Sequence, residues 1–187
     1  SLLQKQNLNG KQVYDIVAQV KDTFDVRSIR IGKPYTILRS KNRTHKIQYF
    51  IYQPDKINYY VIDLRDSVTA YQKTRPLTFK TRTIAGALNG SLSETLANEK
   101  VDPALAAKIA KIYAWSIDFF KLQKGDKFGL TFTERYINDT VYDGVDSLKA
   151  SFFEYKGKKI YAFPFSPDGS SKKQQYYDEE GKTLKNF

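Results

Sequence analysis

The most regular pattern of apolar and polar positions lies in residues 102–130. Two neighbouring, largely apolar stripes recur there at steps of three and four residues, formed by Leu105, Ile109, Ile112, Ser116 and Phe119 and by Ala106, Ala110, Tyr113, Ile117 and Phe120. This spacing predicts a helix that is buried over more than half of its circumference. Asp102 is a favourable N-cap, and Pro103 suits the first helical position. A tight turn at 124–126 and a strand are predicted to follow.

A weaker copy of this pattern lies 93 residues upstream. Asn9 then corresponds to Asp102, and Gly32 corresponds to Gly125. The distance from the start of the helix to the glycine is 23 residues in both copies. The match predicts two units with the same helix–turn–strand shape, produced either by duplication or by chance similarity.

Between and after the two helices, the pattern changes to short runs rich in Tyr, Ile, Val, Phe and Thr. The predicted strands are 35–39, 46–52, 59–64, 68–71 and 77–81 in the first half, and 128–136, 147–155 and 159–165 in the second. Lys156-Gly157-Lys158 predicts a hairpin turn, and Tyr176 begins a last short strand. Ser91, with Glu94 three residues later, predicts the capping box of a short helix ending near Asn98.

These elements predict an α+β protein of two units, each a helix followed by short antiparallel strands. We place the boundary so that the first unit covers residues 1–85 and the second covers residues 86–187. Turn and loop residues around Asn89 and Gly90 motivate this division.

The residue inventory excludes several kinds of catalytic site. The 187 residues contain no cysteine and one histidine, His45, so thiolate chemistry, a histidine-rich zinc site and a Ser-His-Asp set have no basis. The acidic residues Asp139, Asp143 and Asp146, and the acidic run 178–180, fall in predicted turns. We therefore predict no catalytic residue, no metal ligand and no cofactor for this chain. The sequence contains no run of 18 consecutive apolar residues, so no membrane-spanning helix is predicted.

The net charge of +11 is unevenly distributed. Residues 1–46 carry ten Lys or Arg and three Asp or Glu, and much of this excess lies between Arg27 and Lys46. Such a patch favours polyanions or acidic surfaces, although solvated edge charges would give the same count.

Two longer runs resemble a known family. Residues 111–136 (KIYAWSIDFFKLQKGDKFGLTFTERY) and 176–187 (YYDEEGKTLKNF) are similar to the non-catalytic N-terminal part of bacterial cell-wall endopeptidases, the lysostaphin-type (LytM) zinc metallopeptidases. Residues 24–37 and 49–64 are similar to the upstream parts of Bacteroidetes-type members. The zinc-ligand motifs of the family, H-x-x-x-D and H-x-H, do not occur here, so none of those ligands can be assigned. The chain resembles a family member that ends just before its peptidase domain.

The resemblance implies LysM-like or OapA-like domains in the cell envelope, with the periplasm as the expected compartment. The implied partners are peptidoglycan and the protein's own C-terminal peptidase domain, which would hold the zinc. The implied role is to bind peptidoglycan, to position the peptidase or to cover its active site. A LysM-like unit would present its glycine turns to glycan, and the candidate binding residues there are Arg30, Lys33, Tyr35, Lys124, Asp126 and Lys127.

Two other functions remain open from the residues alone. A basic nucleic-acid-binding module would use the positive charge and the 14 Tyr and 12 Phe residues, although charge and aromatic residues do not alternate in a known motif. A free-standing enzyme would need a site that the inventory does not supply.

Overall fold

The structure, a computed structural model, describes residues 3–6, 8–167, 169 and 174–184. The chain forms two compact units, Ser1–Pro76 and Leu77–Phe187, which we call unit 1 and unit 2. The first strand of unit 2 covers residues 77–87 and therefore includes positions 85 and 86, where the sequence places the boundary. The last three residues of the predicted 176–187 segment lie outside the described residues.

Unit 1 is a four-stranded antiparallel sheet with a helix against one face. Its elements are a 3₁₀ turn (Gln4–Gln6), α1 (Gly10–Val20), a second 3₁₀ turn (Val26–Ser28), β1 (Tyr35–Arg39), β2 (Ile47–Tyr52), β3 (Asn58–Asp63) and β4 (Thr69–Thr74). The strands lie side by side in chain order. Ile16 and Val20 of α1 share the core with Phe50, Tyr52 and Ile62 of the sheet.

Unit 2 is a five-stranded antiparallel sheet whose strands again lie side by side in chain order. Two helices lie in the connection between its first and second strands. Its elements are β5 (Leu77–Ala87), α2 (Leu92–Asn98), α3 (Pro103–Ile112), a 3₁₀ turn (Phe119–Lys121), β6 (Lys127–Ile137), β7 (Val141–Tyr155), β8 (Lys158–Phe165) and β9 (Gln175–Tyr177). Leu105 and Ile109 of α3 pack with Phe132 and Leu148 of the sheet in one core. The predicted capping box of α2, formed by Ser91 and Glu94, is confirmed.

The predicted α+β class, with two units that each run from a helix into strands, is wrong. The protein is mostly β, because two antiparallel sheets dominate both units and the three α-helices are short. Unit 2 begins with a strand, β5, which pairs with β6 along eleven residues of each strand. Alternating apolar residues predict a strand but not its partner, and the sequence reading therefore assigned residues 77–81 to the first sheet.

The buried helix of the sequence analysis is also shorter than predicted. The helix α3 ends at Ile112, and the apolar rhythm continues into a turn and a 3₁₀ segment. Asp118 begins that segment by accepting a hydrogen bond from the backbone N–H of Phe120. The side chain of Phe120, predicted to lie on a buried stripe, is instead fully exposed.

Some local features correspond between the two segments that the sequence aligns at a distance of 93 residues. Asn9 and Asp102 are N-caps of α1 and α3. Asp25, which corresponds to Asp118, starts the 3₁₀ turn of unit 1 in the same way. Gly32 and Gly125 both have a left-handed φ, of 84° and 100°, which a glycine adopts without strain.

Candidate functional site

The strongest candidate site is a groove at one end of unit 2, which we call the aromatic groove. It has a volume of about 590 Å³ and is lined by Ala110, Ala114, Trp115, Ser116, Ile117, Asp118, Phe119, Phe120 and Tyr155. Trp115 is 74% exposed and Phe120 is 101% exposed. Large aromatic side chains so open to water mark interaction surfaces more often than they serve stability.

The chain after α3 presents these two rings to solvent by burying their neighbours. Ile117 is buried, and its N–H donates to the carbonyl of Tyr113 at 2.9 Å. The ring of Phe119 packs edge-on against the rings of Tyr113 and Phe153, with centroid distances of 6.2 and 5.6 Å. Because Phe119 turns inward in a short 3₁₀ segment, the next side chain, Phe120, turns outward.

Two lysines contact residues that line the aromatic groove. Lys121 forms an ion pair with Asp118 at 3.2 Å, and this hydrogen-bonded contact raises the pKa of Lys121 above its usual range. Lys156, in the β7–β8 turn, places its Nζ 5.2 Å from the centroid of the Tyr155 ring. The ends of β7 and β8 meet at this turn, where Tyr155 pairs with Lys158. The groove therefore combines exposed aromatic faces with positive charge.

The three candidate residues of the second glycine turn lie at the same end of the sheet, where β6 begins beside the end of β7. Lys124 and Lys127 are exposed. Asp126 is half-buried, and its carboxylate accepts a hydrogen bond from the N–H of Gln123 at 2.8 Å. Its carbonyl accepts another from the N–H of Leu88. Asp126 thus closes the turn, while the two lysines are open to a ligand.

The three candidate residues of the first glycine turn belong to unit 1. Arg30 and Lys33 have exposed side chains, and the N–H of Arg30 donates to the Tyr52 hydroxyl at 3.0 Å. Tyr35 is exposed on one side and stacks on Phe50 with its other side, at a centroid distance of 5.8 Å. This turn offers two cations and one aromatic ring.

A second polar cluster lies in unit 2, where the distal part of the β6–β7 hairpin meets the start of α3. Glu134 accepts from Arg82 at 3.3 Å and from the Tyr136 hydroxyl at 3.1 Å. Asp102 accepts from the Tyr142 hydroxyl at 3.3 Å. Burial, together with the negative charge of Asp102, raises the pKa of Tyr142 to about 12. Since both carboxylates are engaged within the unit, this cluster fastens the helices to the sheet.

The described residues contain no group of three His, Cys, Asp or Glu side chains placed to hold a metal ion. The acidic residues singled out in the sequence have local partners. Asp143 pairs with Arg135 at 2.7 Å, and Asp139 accepts from the hydroxyl of Thr78. Asp178 accepts the N–H groups of Glu180 and Lys182 in its own turn. None of the helices described is long and apolar enough to cross a lipid bilayer.

Reasoning from the sequence did not identify Trp115, Phe120 or Tyr155 as surface residues. One signal could have found the first two. Asp118 is a good N-cap, so it indicates that a new helical segment starts there and that the apolar rhythm of α3 has already ended. Tyr155 had no such signal, because its place beside the loop depends on the pairing of β7 with β6 and β8.

The sequence and the fold can be compared with those of known proteins. A comparison with curated protein sequences finds no match. The fold is similar to that of a zinc containing peptidase from Vibrio cholerae, with a TM-score of 0.57, 17% identity, and coverage of 99% of this chain and 55% of that one. It is also similar to Helicobacter pylori Csd3 in two crystal forms.

The hexagonal form of Csd3 gives a TM-score of 0.59 at 21% identity, covering 95% of this chain and 46% of that one. The orthorhombic form gives a TM-score of 0.60 at 20% identity, covering 97% of this chain and 48% of that one. The chain therefore spans about half the length of these proteins, and at such identities the likeness concerns the fold. Residues 77–187, which are unit 2, match the family described as the Csd3 second domain. The chain belongs to the Csd3 second-domain family.

Proposed function

We propose that this chain is a non-catalytic region of a cell-wall metallopeptidase of the lysostaphin (LytM) type, and that unit 2 binds peptidoglycan. Membership of the Csd3 second-domain family and the likeness to a zinc containing peptidase support this proposal. In this proposal the catalytic zinc belongs to a separate peptidase domain, and the protein acts in the cell envelope, in the periplasm.

The observation that carries the binding role is the exposure of Trp115 and Phe120 in a groove whose lining residues Asp118 and Tyr155 contact lysines. The face of an aromatic ring is apolar and suits the apolar face of a sugar ring. Lys124 and Lys127 lie at the same end of the unit, where they attract the free carboxylates of peptidoglycan peptides. In this proposal Lys124 and Lys127 form the basic side of a site whose aromatic side is the groove.

Co-sedimentation with purified peptidoglycan sacculi tests this role. We expect the variant Trp115→Ala/Phe120→Ala to bind about tenfold more weakly than the wild type, because each stacked ring contributes roughly 0.5–1.5 kcal/mol. Phe163→Ala is the matched control, since Phe163 is also exposed but lies on β8 outside the groove. Equal retention of both variants would contradict the proposal that the aromatic groove binds peptidoglycan. No retention of the wild type would rule out peptidoglycan binding by this chain.

We further propose that the chain positions the peptidase domain or covers its active site. The likeness to the zinc containing peptidase extends over both units of this chain, which supports a role for the whole region beside a catalytic domain. Hydrolysis of sacculi by the full-length parent protein, with and without residues 1–76, which form unit 1, tests this second role. A covering role predicts faster hydrolysis after the deletion, and unchanged hydrolysis would rule that role out.

A further inference from the structure

The sheet of unit 1 has one face covered by α1 and one face that points away from the core. Phe50, Tyr52 and Ile62 lie on the covered face. Side chains alternate along a strand, so Tyr49, at the position before Phe50, lies on the opposite face. Strand pairing places four neighbours on that same face, which we call the outer face of unit 1, namely Tyr59, Asp63, Tyr71 and Lys73.

The tyrosines of this outer face each have a cation over the ring. The guanidinium carbon of Arg65 lies 4.8 Å from the ring centroid of Tyr49. The Nζ of Lys73 lies 5.5 Å from the centroid of Tyr71. At Tyr59 the cation is Arg75, whose guanidinium carbon lies 5.7 Å away. Aromatic rings and cations therefore alternate across three strands and the ends of their turns.

Two of these cations are held in place by neighbouring groups. Arg65 donates to both carboxylate oxygens of Asp63, and its Nη2 lies 2.7 Å from Oδ2. Arg75 donates to the carbonyl of Lys56 at 2.8 Å and to Gln53. Because these contacts fix the guanidinium planes before any ligand arrives, less side-chain entropy is lost on binding. Lys73 is exposed and supplies the most accessible charge.

The charge of unit 1 points to an acidic partner. Residues 1–76 contain 14 Lys or Arg against 6 Asp or Glu, whereas residues 77–187 contain 17 against 14. A positive unit that arranges cations over aromatic rings on one open face can bind carboxylates through the cations and carbon-rich groups through the rings. An uncharged or basic ligand would lack the first of these contacts.

We propose that the outer face of unit 1 binds the acidic peptide chains of peptidoglycan, as a second contact besides the aromatic groove of unit 2. The choice of a carboxylate-bearing ligand rests on the proposed function, whereas the location of the site rests on the geometry of Tyr49, Tyr59, Tyr71 and their cations. Carboxylates of the ligand contact Lys73 and the free edges of Arg65 and Arg75. The ligand's carbon skeleton lies on the exposed part of the Tyr71 ring.

The test uses fluorescently labelled poly-L-glutamate and the whole chain, with binding followed by anisotropy at about 50 mM and about 300 mM salt. We expect Lys73→Glu to weaken binding about fivefold or more at the lower salt, because it places a like charge at the contact. Lys11→Glu is the matched control. It changes the net charge equally, but Lys11 lies exposed on α1, on the other side of the sheet. We expect the control to change binding less than about twofold.

Three outcomes would overturn the proposal. The first is equal weakening by Lys73→Glu and Lys11→Glu, which would show attraction to overall charge. The second is the absence of binding to poly-L-glutamate at the lower salt. The third is stronger, face-dependent binding of labelled polyuridylate, which would assign the face to nucleic acid. Retention on sacculi, measured separately, tests the proposed function. Binding of poly-L-glutamate that depends on the outer face, without retention on sacculi, would support the site in unit 1 and contradict the proposed function.

Discussion

Gly129, the third residue of the strand β6, lies directly under the ring of Phe152 on the neighbouring strand. A Cβ atom at this position would lie 2.4 Å from Cε1 and 3.0 Å from Cδ1 of that ring. The ring also contacts Tyr161 of β8, at a centroid distance of 5.6 Å, and Lys159 lies over it at 5.3 Å. The absence of a side chain at residue 129 thus lets the Phe152 ring pack over β6 while it contacts two side chains of β8.

We expect Gly129→Ala to destabilise the protein by about 1–3 kcal/mol, because the new methyl group must displace the Phe152 ring from its packing. Urea unfolding followed by circular dichroism measures the change. Gly86→Ala is the control, since its Cβ would lie 3.7 Å from Phe128, an ordinary contact. The double variant Gly129→Ala/Phe152→Ala should lose less stability than the sum of its single variants. A strictly additive loss would contradict the proposed clash.

Single residues also mark where prediction from the sequence succeeds and where it stops. The sequence placed Lys124 in a turn at 124–126, directly before the strand β6 that begins at Lys127, because glycine and charge identify turns locally. The sequence predicted that Phe120 is buried, because apolar residues continue at steps of three and four past the end of α3. In the structure Phe120 is exposed. Tyr155 could not be assigned to the groove from the sequence, since only the pairing of β7 with its neighbours brings it to the loop.

Among the elements, the helices are defined by their first residues. Asp102 accepts from the N–H of Ala104 at 2.8 Å and so starts α3, and its second carboxylate oxygen accepts from Tyr142 of β7. Asn9 starts α1 through a complete capping box with Gln12. Such caps are local signals, and both helix starts were therefore predictable from the sequence.

We expect Asp102→Ala to cost about 1–2 kcal/mol in the free energy of unfolding, because the N–H of Ala104 loses its acceptor. Asp102→Asn should cost less than about 0.5 kcal/mol, because an asparagine side chain also caps well. Thermal or urea unfolding of both variants gives the comparison. Similar losses in the two variants would place the contribution of Asp102 in its negative charge and not in the cap.

For the strands, the sequence predicted most positions but not their partners. The short runs of residues 35–81 and 128–165 correspond to β1–β8, but β5 extends six residues beyond its predicted end and β7 begins six residues before its predicted start. The pairing of β5 with β6 was missed, because it connects residues about 40–60 positions apart and leaves no periodic trace. The error moved one strand between sheets, so that unit 2 was predicted to begin with a helix, whereas it begins with β5.

At the scale of the whole molecule, the chain divides into two compact units, and the family match covers the second of them. We expect residues 77–187 to fold when expressed alone, because a unit with its own sheet, helices and core can be independently stable. A single cooperative thermal transition and dispersed amide signals in a two-dimensional NMR spectrum would confirm this. A gradual transition with collapsed signals would show that unit 2 requires unit 1.

The helices α2 and α3 form the connection between the paired strands β5 and β6, and this long connection has a consequence for the order of folding. Every other strand pair in both sheets joins sequence neighbours through a short connection. The β5–β6 pair alone must close over residues 88–126, and loop closure of this kind costs entropy before any ladder contact forms. We therefore expect the hairpins β6–β7 and β7–β8 to form first, the two helices to pack on them, and β5 to join the sheet last. Newly made chains would thus expose the edge of β6 for longest, which makes that edge the point at which chaperones or misassembly compete with folding.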